Sequence, residues 1–194
     1  MKCGILALQG NFNQHKHMLD MLGVENIAIR YSSELSRCDA LIIPGGESSA
    51  ISKQLNDNNI RKSIIDFSVK RPIFGTCAGM IMLSSTKSND KISPLNIMNF
   101  EIKRNAWGRQ THSFSAEIDL KPIYKRKFHG IFIRAPKVNK YDQSMQILGT
   151  YNNEPVLMTD GKHLVSTFHP EVGLDMRIHN YFINSVNERL SAFK

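Results

Sequence analysis

The chain has 194 residues, a formal net charge of +8, 41% hydrophobic and 22% charged residues. These values suit one globular domain spanning residues 1–194, and no apolar run approaches the roughly 18 residues a membrane span needs. The densest basic cluster, Lys121, Lys125, Arg126 and Lys127, has aromatics only at its edges, Tyr124 and Phe128. With no helix-turn-helix, zinc-finger or RNP-like pattern beside it, it reads as a solvated loop, with a contact surface for a protein partner as the alternative, and argues against nucleic acid. The N-terminus carries one Lys and a short apolar run stopped by Gln9 and Asn11. That reads as a core strand rather than a signal peptide, so the expected compartment is the cytoplasm. Three cysteines, Cys3, Cys38 and Cys77, offer no disulfide framework and no zinc spacing. Cys3 and Cys38 are expected as small buried residues in strands, and no metal or cofactor is expected.

Cys3 to Leu8 is a continuous apolar run of the kind buried on both faces of a parallel sheet. Phe12, His15, Met18, Leu19 and Leu22 follow at helical spacing, with Gly23 as the stop. Strands are predicted at 26–30, at 40–43 before Pro44-Gly45-Gly46, and at 72–75. Helices are predicted over 47–55, 59–69 and 78–85. This alternation implies a parallel sheet with right-handed crossovers.

From Asn96 the rhythm changes to strand-like stretches at 96–103, 113–120, 130–134, 145–151, 155–159 and 163–168. Asp160-Gly161 is a hairpin signal between the last two. Asp175 to Leu190 reads as a closing helix. The expected fold is α/β: a mostly parallel central sheet flanked by helices, with additional antiparallel strands in the C-terminal half.

Three motifs carry the chemistry. Gly75-Thr76-Cys77-Ala78-Gly79 joins a strand to a helix in the form of a nucleophile elbow, where a tight turn leaves little room for side chains. Cys77 would sit at a helix N-terminus, where the dipole favours thiolate, and the Ala78 N–H would face a developing oxyanion. Alone, this is also compatible with a structural turn. Phe168-His169-Pro170-Glu171 supplies a base and a carboxylate to orient it; alone, it is also compatible with a surface histidine beside a turn. Pro44-Gly45-Gly46-Glu47-Ser48 lies between a strand and a helix, where ligands bind in open α/β sheets. The Gly-Gly pair admits peptide orientations closed to other residues, suiting an oxyanion donor or a substrate anchor. The phosphate-loop pattern is absent, and a plain turn before a helix remains open.

Together these motifs resemble the class I (triad) glutamine amidotransferases, with a flavodoxin-like fold. Within them the chain resembles the glutaminase subunits of pyridoxal 5'-phosphate synthase, the PdxT type. The match runs through Ala7-Leu8-Gln9-Gly10, the three motifs, Arg104-Asn105, Gly108-Arg109-Gln110, Phe132-Ile133-Arg134-Ala135-Pro136, and Asp175, Arg177 and His179, over essentially the full length.

The resemblance implies hydrolysis of L-glutamine to L-glutamate and ammonia. Cys77 would form a glutamyl thioester and complete a triad with His169 and Glu171. Gly46 and Ala78 would be the oxyanion donors, and Gly46, Glu47, Ser48, Arg104, Ile133 and Arg134 the glutamine-binding positions. Gln9 would couple the site to a synthase partner of the PdxS type, in a large hetero-oligomer, and the ammonia would serve pyridoxal phosphate (vitamin B6) biosynthesis. It also implies a subunit that is weakly active alone, with a Gly45-Gly46 peptide that reorients on docking.

Ala50, where the family usually has Thr, His112 before Ser113, and the basic 121–127 stretch depart from the pattern, away from the triad. Trp107 is expected as a half-buried packing residue. The competing readings are a glutaminase subunit of the histidine or purine pathway and a non-catalytic scaffold that binds a partner.

Overall fold

The apolar runs of the first half become the interior strands of a seven-stranded sheet in the computed structural model, which describes residues 1–87, 89, 91–104, 107 and 113–192. The N-terminal half contains β1 (Lys2–Leu6), α1 (Phe12–Met21), β2 (Glu25–Ile29), α2 (Ser32–Leu35), β3 (Ala40–Ile43), α3 (Ser48–Asp57), α4 (Arg61–Lys70), β4 (Ile73–Thr76) and α5 (Ala78–Leu83). The C-terminal half contains β5 (Phe100–Lys103), β6 (Ser113–Ile118), β7 (Phe128–Ile133), β8 (Lys137–Tyr141), β9 (Gln146–Tyr151), β10 (Glu154–Thr159), β11 (Leu164–Ser166) and α6 (Arg177–Ala192).

The main sheet runs β2-β1-β3-β4-β11-β10-β9. The first five strands are parallel and the last two antiparallel, with the β10–β11 hairpin turning at Gly161 (φ +85°). Two further ribbons pair β5 with β8 and β6 with β7.

Successive side chains of a strand point to opposite faces, so each interior strand feeds two cores. Leu41 and Ile43 join Ile51, Leu55 and Ile64 of α3 and α4 on one face. Ala40, Ile42 and Phe74 meet Leu19 of α1 and Ile178, Phe182 and Val186 of α6 on the other, together with Phe128 and Phe132 of β7. Burial on both faces is why β3 and β4 read as unbroken apolar runs. Four parallel strands, β1, β3, β4 and β11, therefore end side by side. The loops leaving them carry Gln9, Gly45-Gly46, Cys77 and His169, at the edge where open α/β sheets bind ligands.

The second half differs from the expectation in its details. Residues 96–99 form no strand, because the backbone of Leu95 donates to Met82 and that of Ile97 and Met98 to Leu83. The segment satisfies the end of α5 instead, and β5 starts only at Phe100. β8 was not legible: in Lys137–Tyr141 only Val138 is buried, and pairing with β5 makes the strand. The single-turn α2 also escaped, held by the Glu34 carboxylate accepting from the Arg30 and Tyr31 N–H groups.

Cys38 is buried as expected but lies in the turn between α2 and β3, not in a strand. α6 begins at Arg177, whose N–H donates to the Asp175 side chain at 3.1 Å. The 121–127 loop presents Lys121, Lys125, Arg126 and Lys127 to solvent, and Trp107 packs half-buried among Phe114, Phe132 and Tyr151. Asn105, Gly108, Arg109, Gln110 and His112 lie outside the described residues. Among the described residues no helix is long and apolar enough to cross a membrane.

Candidate active site

Cys77 links β4 to α5 with φ 46° and ψ −102°, a backbone conformation that costs a non-glycine residue about 1–3 kcal/mol. Surrounding contacts hold it there. The Cys77 N–H donates to the Ser166 carbonyl at 2.9 Å, tying the elbow to β11. A Cβ on Gly79 would enter the Ile43 carbonyl, and one on Gly75 would lie 2.7 Å from the Gly79 carbonyl, so the flanking glycines are steric requirements. The thiol is 3.7 Å from the Ile133 carbonyl oxygen.

His169 leaves β11 with its N–H donating to the Ile131 carbonyl at 2.8 Å, which fixes the loop against β7. Its Nδ1 lies 2.6 Å from Glu171 Oε1, and the carboxylate is almost fully buried. Burial alone pulls this imidazole down. Hydrogen bonds with Cys77 and Glu171 and the charge of the carboxylate overcome it, and His169 is pushed up to about 10. For Glu171 burial pushes the carboxyl up, but the histidines beside it, His15 and His169, hold it well below the usual carboxylate range. Pro170 stiffens the two-residue link that lets one short segment supply both groups.

The Gly45-Gly46 loop closes the other side. Neither glycine has a positive φ in this conformation, which therefore uses none of the backbone freedom the pair admits. They provide space: a Cβ on Gly45 would strike the His169 ring, and one on Gly46 would strike the Gln9 amide. Three hydrogen bonds pin the loop. The Gly45 N–H donates to Thr76 Oγ1 (3.0 Å), the Gly45 carbonyl accepts from the Asn11 N–H (3.0 Å), and the Glu47 N–H donates to Gln9 Oε1 (2.8 Å).

Cys77, Ala78, His169, Gln9, Gly46, Glu47, Ser48, Arg104, Ile133 and Arg134 line one cleft of about 660 Å³. Glu171, the remaining expected site residue, stands behind His169. Arg104 and Arg134 are exposed, Arg134 with φ 45°, and Ser48 is buried at the start of α3. A nearby cleft of about 690 Å³ shares Glu47, and the described residues that line it are otherwise serines, asparagines, lysines, Ala50 and Ile92, with no cysteine or histidine among them.

Sequence reading did not single out Asn11, Thr76 or His15 as part of the site. Asn11 reaches Glu171 with Nδ2 at 3.4 Å, and Thr76 braces Gly45. The one available signal was a histidine, His15, on the apolar stripe of α1.

The chain matches the SNO glutamine amidotransferase family over residues 5–188. It is 42% identical over 190 residues to the "Pyridoxal 5'-phosphate synthase subunit PdxT" of Thermosipho africanus, covering 97% of this chain and 100% of the relative. To the protein of the same name from Streptococcus pneumoniae it is 42% identical over 197 residues, with coverage of 97% and 100%. A crystal structure of a glutamine amidotransferase is similar at TM-score 0.89 and 36% identity, covering 95% of this chain and 98% of that one. PurLQS from Thermotoga maritima shares the fold at TM-score 0.67 and 14% identity, covering 100% and 98%. The chain belongs to the SNO glutamine amidotransferase family.

Proposed function

We propose that this chain is the glutaminase subunit of a pyridoxal 5'-phosphate synthase, hydrolysing L-glutamine and passing the ammonia to a synthase subunit of the PdxS type in a large hetero-oligomer. The observation that carries the reading is the convergence of the strained Cys77 elbow and the buried His169–Glu171 pair on one cleft.

Cys77 Sγ, its proton carried by His169, attacks the carboxamide carbon of glutamine. The N–H groups of Gly46 and Ala78 receive the charge that develops on the carbonyl oxygen. The C–N bond then breaks, and the proton on His169 leaves with the nitrogen as ammonia, giving a glutamyl thioester. Water attacks the thioester with His169 as base, the C–S bond breaks, glutamate departs, and the proton stays on His169 beside the freed sulfur. Glu171 orients the imidazole and stabilises its cationic form. Glu47, Ser48 and Ile133 line the substrate pocket, and the guanidinium groups of Arg104 and Arg134 suit a carboxylate.

Gln9 links the β1–α1 loop to the oxyanion loop, which makes it the route by which a docked partner acts. Reorienting the Gly45-Gly46 peptide breaks the Asn11 N–H to Gly45 carbonyl bond, a cost of about 1 kcal/mol that partner contacts can offset.

The test is ammonia release from glutamine with and without the synthase, for wild type and Cys77→Ala. Release that rises on adding the synthase and vanishes in Cys77→Ala, with binding of the synthase retained, supports the reading. Undiminished release by Cys77→Ala overturns the catalytic assignment, and no pyridoxal phosphate formed with the synthase overturns the pathway. Relatives of 36–42% identity carry the PdxT name, whereas PurLQS stands at 14%, which favours this pathway over a purine one.

A further inference from the structure

Behind Glu171, away from the cleft, two histidines are buried that no step of the mechanism uses. His15 of α1 and His179 of α6 are both fully inaccessible to solvent. His15 Nδ1 lies 2.9 Å from His179 Nε2. The other nitrogen, His15 Nε2, lies 3.2 Å from Thr76 Oγ1 and 3.5 Å from Glu171 Oε2. Thr76 Oγ1 in turn accepts from the Gly45 N–H. One imidazole therefore touches the carboxylate of the triad and, through a single hydroxyl, the oxyanion loop.

The proton arrangement follows from the neighbours. One proton occupies the short His15–His179 contact, and two patterns satisfy it. If His15 Nδ1 donates, its Nε2 lone pair can accept from the Thr76 hydroxyl but offers no donor to Glu171 Oε2, 3.5 Å away, and His179 Nδ1 carries a proton with no acceptor among the described residues. A buried carboxylate oxygen and a buried N–H then both go unpartnered, which a low-dielectric interior penalises. If His179 Nε2 donates to His15 Nδ1, His15 carries its proton on Nε2, 3.2 Å from Thr76 Oγ1 and 3.5 Å from Glu171 Oε2. Among the described residues no hydrogen bond already occupies that carboxylate oxygen, because His169 and Asn11 both use Oε1, so it is open to a donor from His15. The bare atom is then the His179 Nδ1 lone pair, and buried acceptors go unpartnered more readily than buried donors.

We propose that His179 and His15 are positioning residues for the glutaminase reaction. His179 fixes His15 in the Nε2–H tautomer, and His15 holds the outer oxygen of Glu171 while bracing Gly45 through Thr76. The proposal rests on the reading of Cys77, His169 and Glu171 as the reacting groups. It adds that the orientation of the carboxylate and the position of the oxyanion loop share one buried support. A histidine serves here because its two nitrogens can receive on one side and donate on the other. A glutamine at position 179 can place its amide N–H near the Nε2 position, whereas phenylalanine fills the space without a donor.

The test uses the synthase complex with His179→Gln and His179→Phe, plus ¹⁵N imidazole shifts of the wild-type chain. The expected result is a His15 signal protonated on Nε2. His179→Phe should lower kcat for ammonia release by about tenfold, the loss of a hydrogen bond that supports a charged group. KM should change by less than about twofold, since ground-state binding of glutamine is untouched. His179→Gln should recover kcat to within about threefold of wild type at a melting temperature matched to His179→Phe, a rescue that only a restored donor produces.

A His15 signal protonated on Nδ1 overturns the proposal, as does equal kcat for the Phe and Gln variants. The ¹⁵N measurement needs no variant, so a misfolded His179→Phe leaves the proposal decidable. Failure of the underlying glutaminase reading would instead appear as a wild-type complex that releases no ammonia.

Discussion

On one side of Cys77 stand His169 and Glu171, 4% and 3% exposed, backed by fully buried His15, His179 and Thr76. On the other, Glu47, Arg104 and Arg134 are exposed around the mouth of the cleft, with Glu47 at the end of a glycine loop that rests on Gln9, Asn11 and Thr76. In the proposed reaction the buried flank handles protons, in a place where charge interactions are strong and geometry is fixed by two packed cores. On the same proposal the open flank, held by a few hydrogen bonds, receives the substrate and is the one a partner resets. Proton transfer is thus proposed to reside in the rigid half and control in the adaptable half.

Removing the carboxylate of the buried flank should have the largest effect on this contrast. Glu171→Gln is expected to cut kcat by on the order of a thousandfold, since the imidazole loses the group that fixes its tautomer. The His169 midpoint, followed by NMR, should fall from about 10, because burial remains and the opposing carboxylate charge is gone. An unchanged midpoint would place the cause of the shift elsewhere.

Gly45→Ala joins the two flanks sterically, as its Cβ meets the His169 ring. Displacing the ring by about an ångström should cost on the order of a hundredfold in kcat, measured with the synthase present. Activity within twofold of wild type would mean the loop yields instead of the histidine.

Arg134→Ala acts on the open flank only. It should raise KM for glutamine by about tenfold with kcat nearly unchanged, the signature of lost uniform binding. A drop in kcat at constant KM would move Arg134 into the chemical step.

The smallest effect is on stability against pH. Burial holds His15, His163 and His179 below the ordinary histidine value of 6.5. The unfolded chain therefore binds more protons below that value, and stability is lost as pH falls through it. His169 has the opposite sign: its contribution is full below 6.5 and is lost as pH rises toward about 10. Denaturant unfolding should accordingly show a maximum near pH 6.5. His179→Phe should flatten the acid limb by up to about 1.4 kcal/mol per pH unit and leave the alkaline limb alone.

Local pattern by itself determined the strands of the N-terminal parallel half, the helices that follow them except α2, and the three motifs. Runs such as Ala40–Ile43 and a Cys between glycines state their role in the residues themselves: an apolar run seeks burial, and a crowded turn excludes side chains. The triad and its pocket were named from motif and family resemblance, and ten of those positions do line one cleft. Tertiary structure decided what depends on neighbours distant in the chain. β8 exists because β5 pairs with its polar residues, and residues 96–99 are not a strand because the end of α5 takes the N–H groups of Leu95, Ile97 and Met98. Gly45 and Gly46 are glycines for want of space beside His169 and Gln9, a requirement invisible without those partners. His15 read as one position of an apolar helix face, and His179, 164 residues away, only as a position of the family resemblance. Only the packing of α1 against α6 puts their nitrogens 2.9 Å apart behind the carboxylate of Glu171.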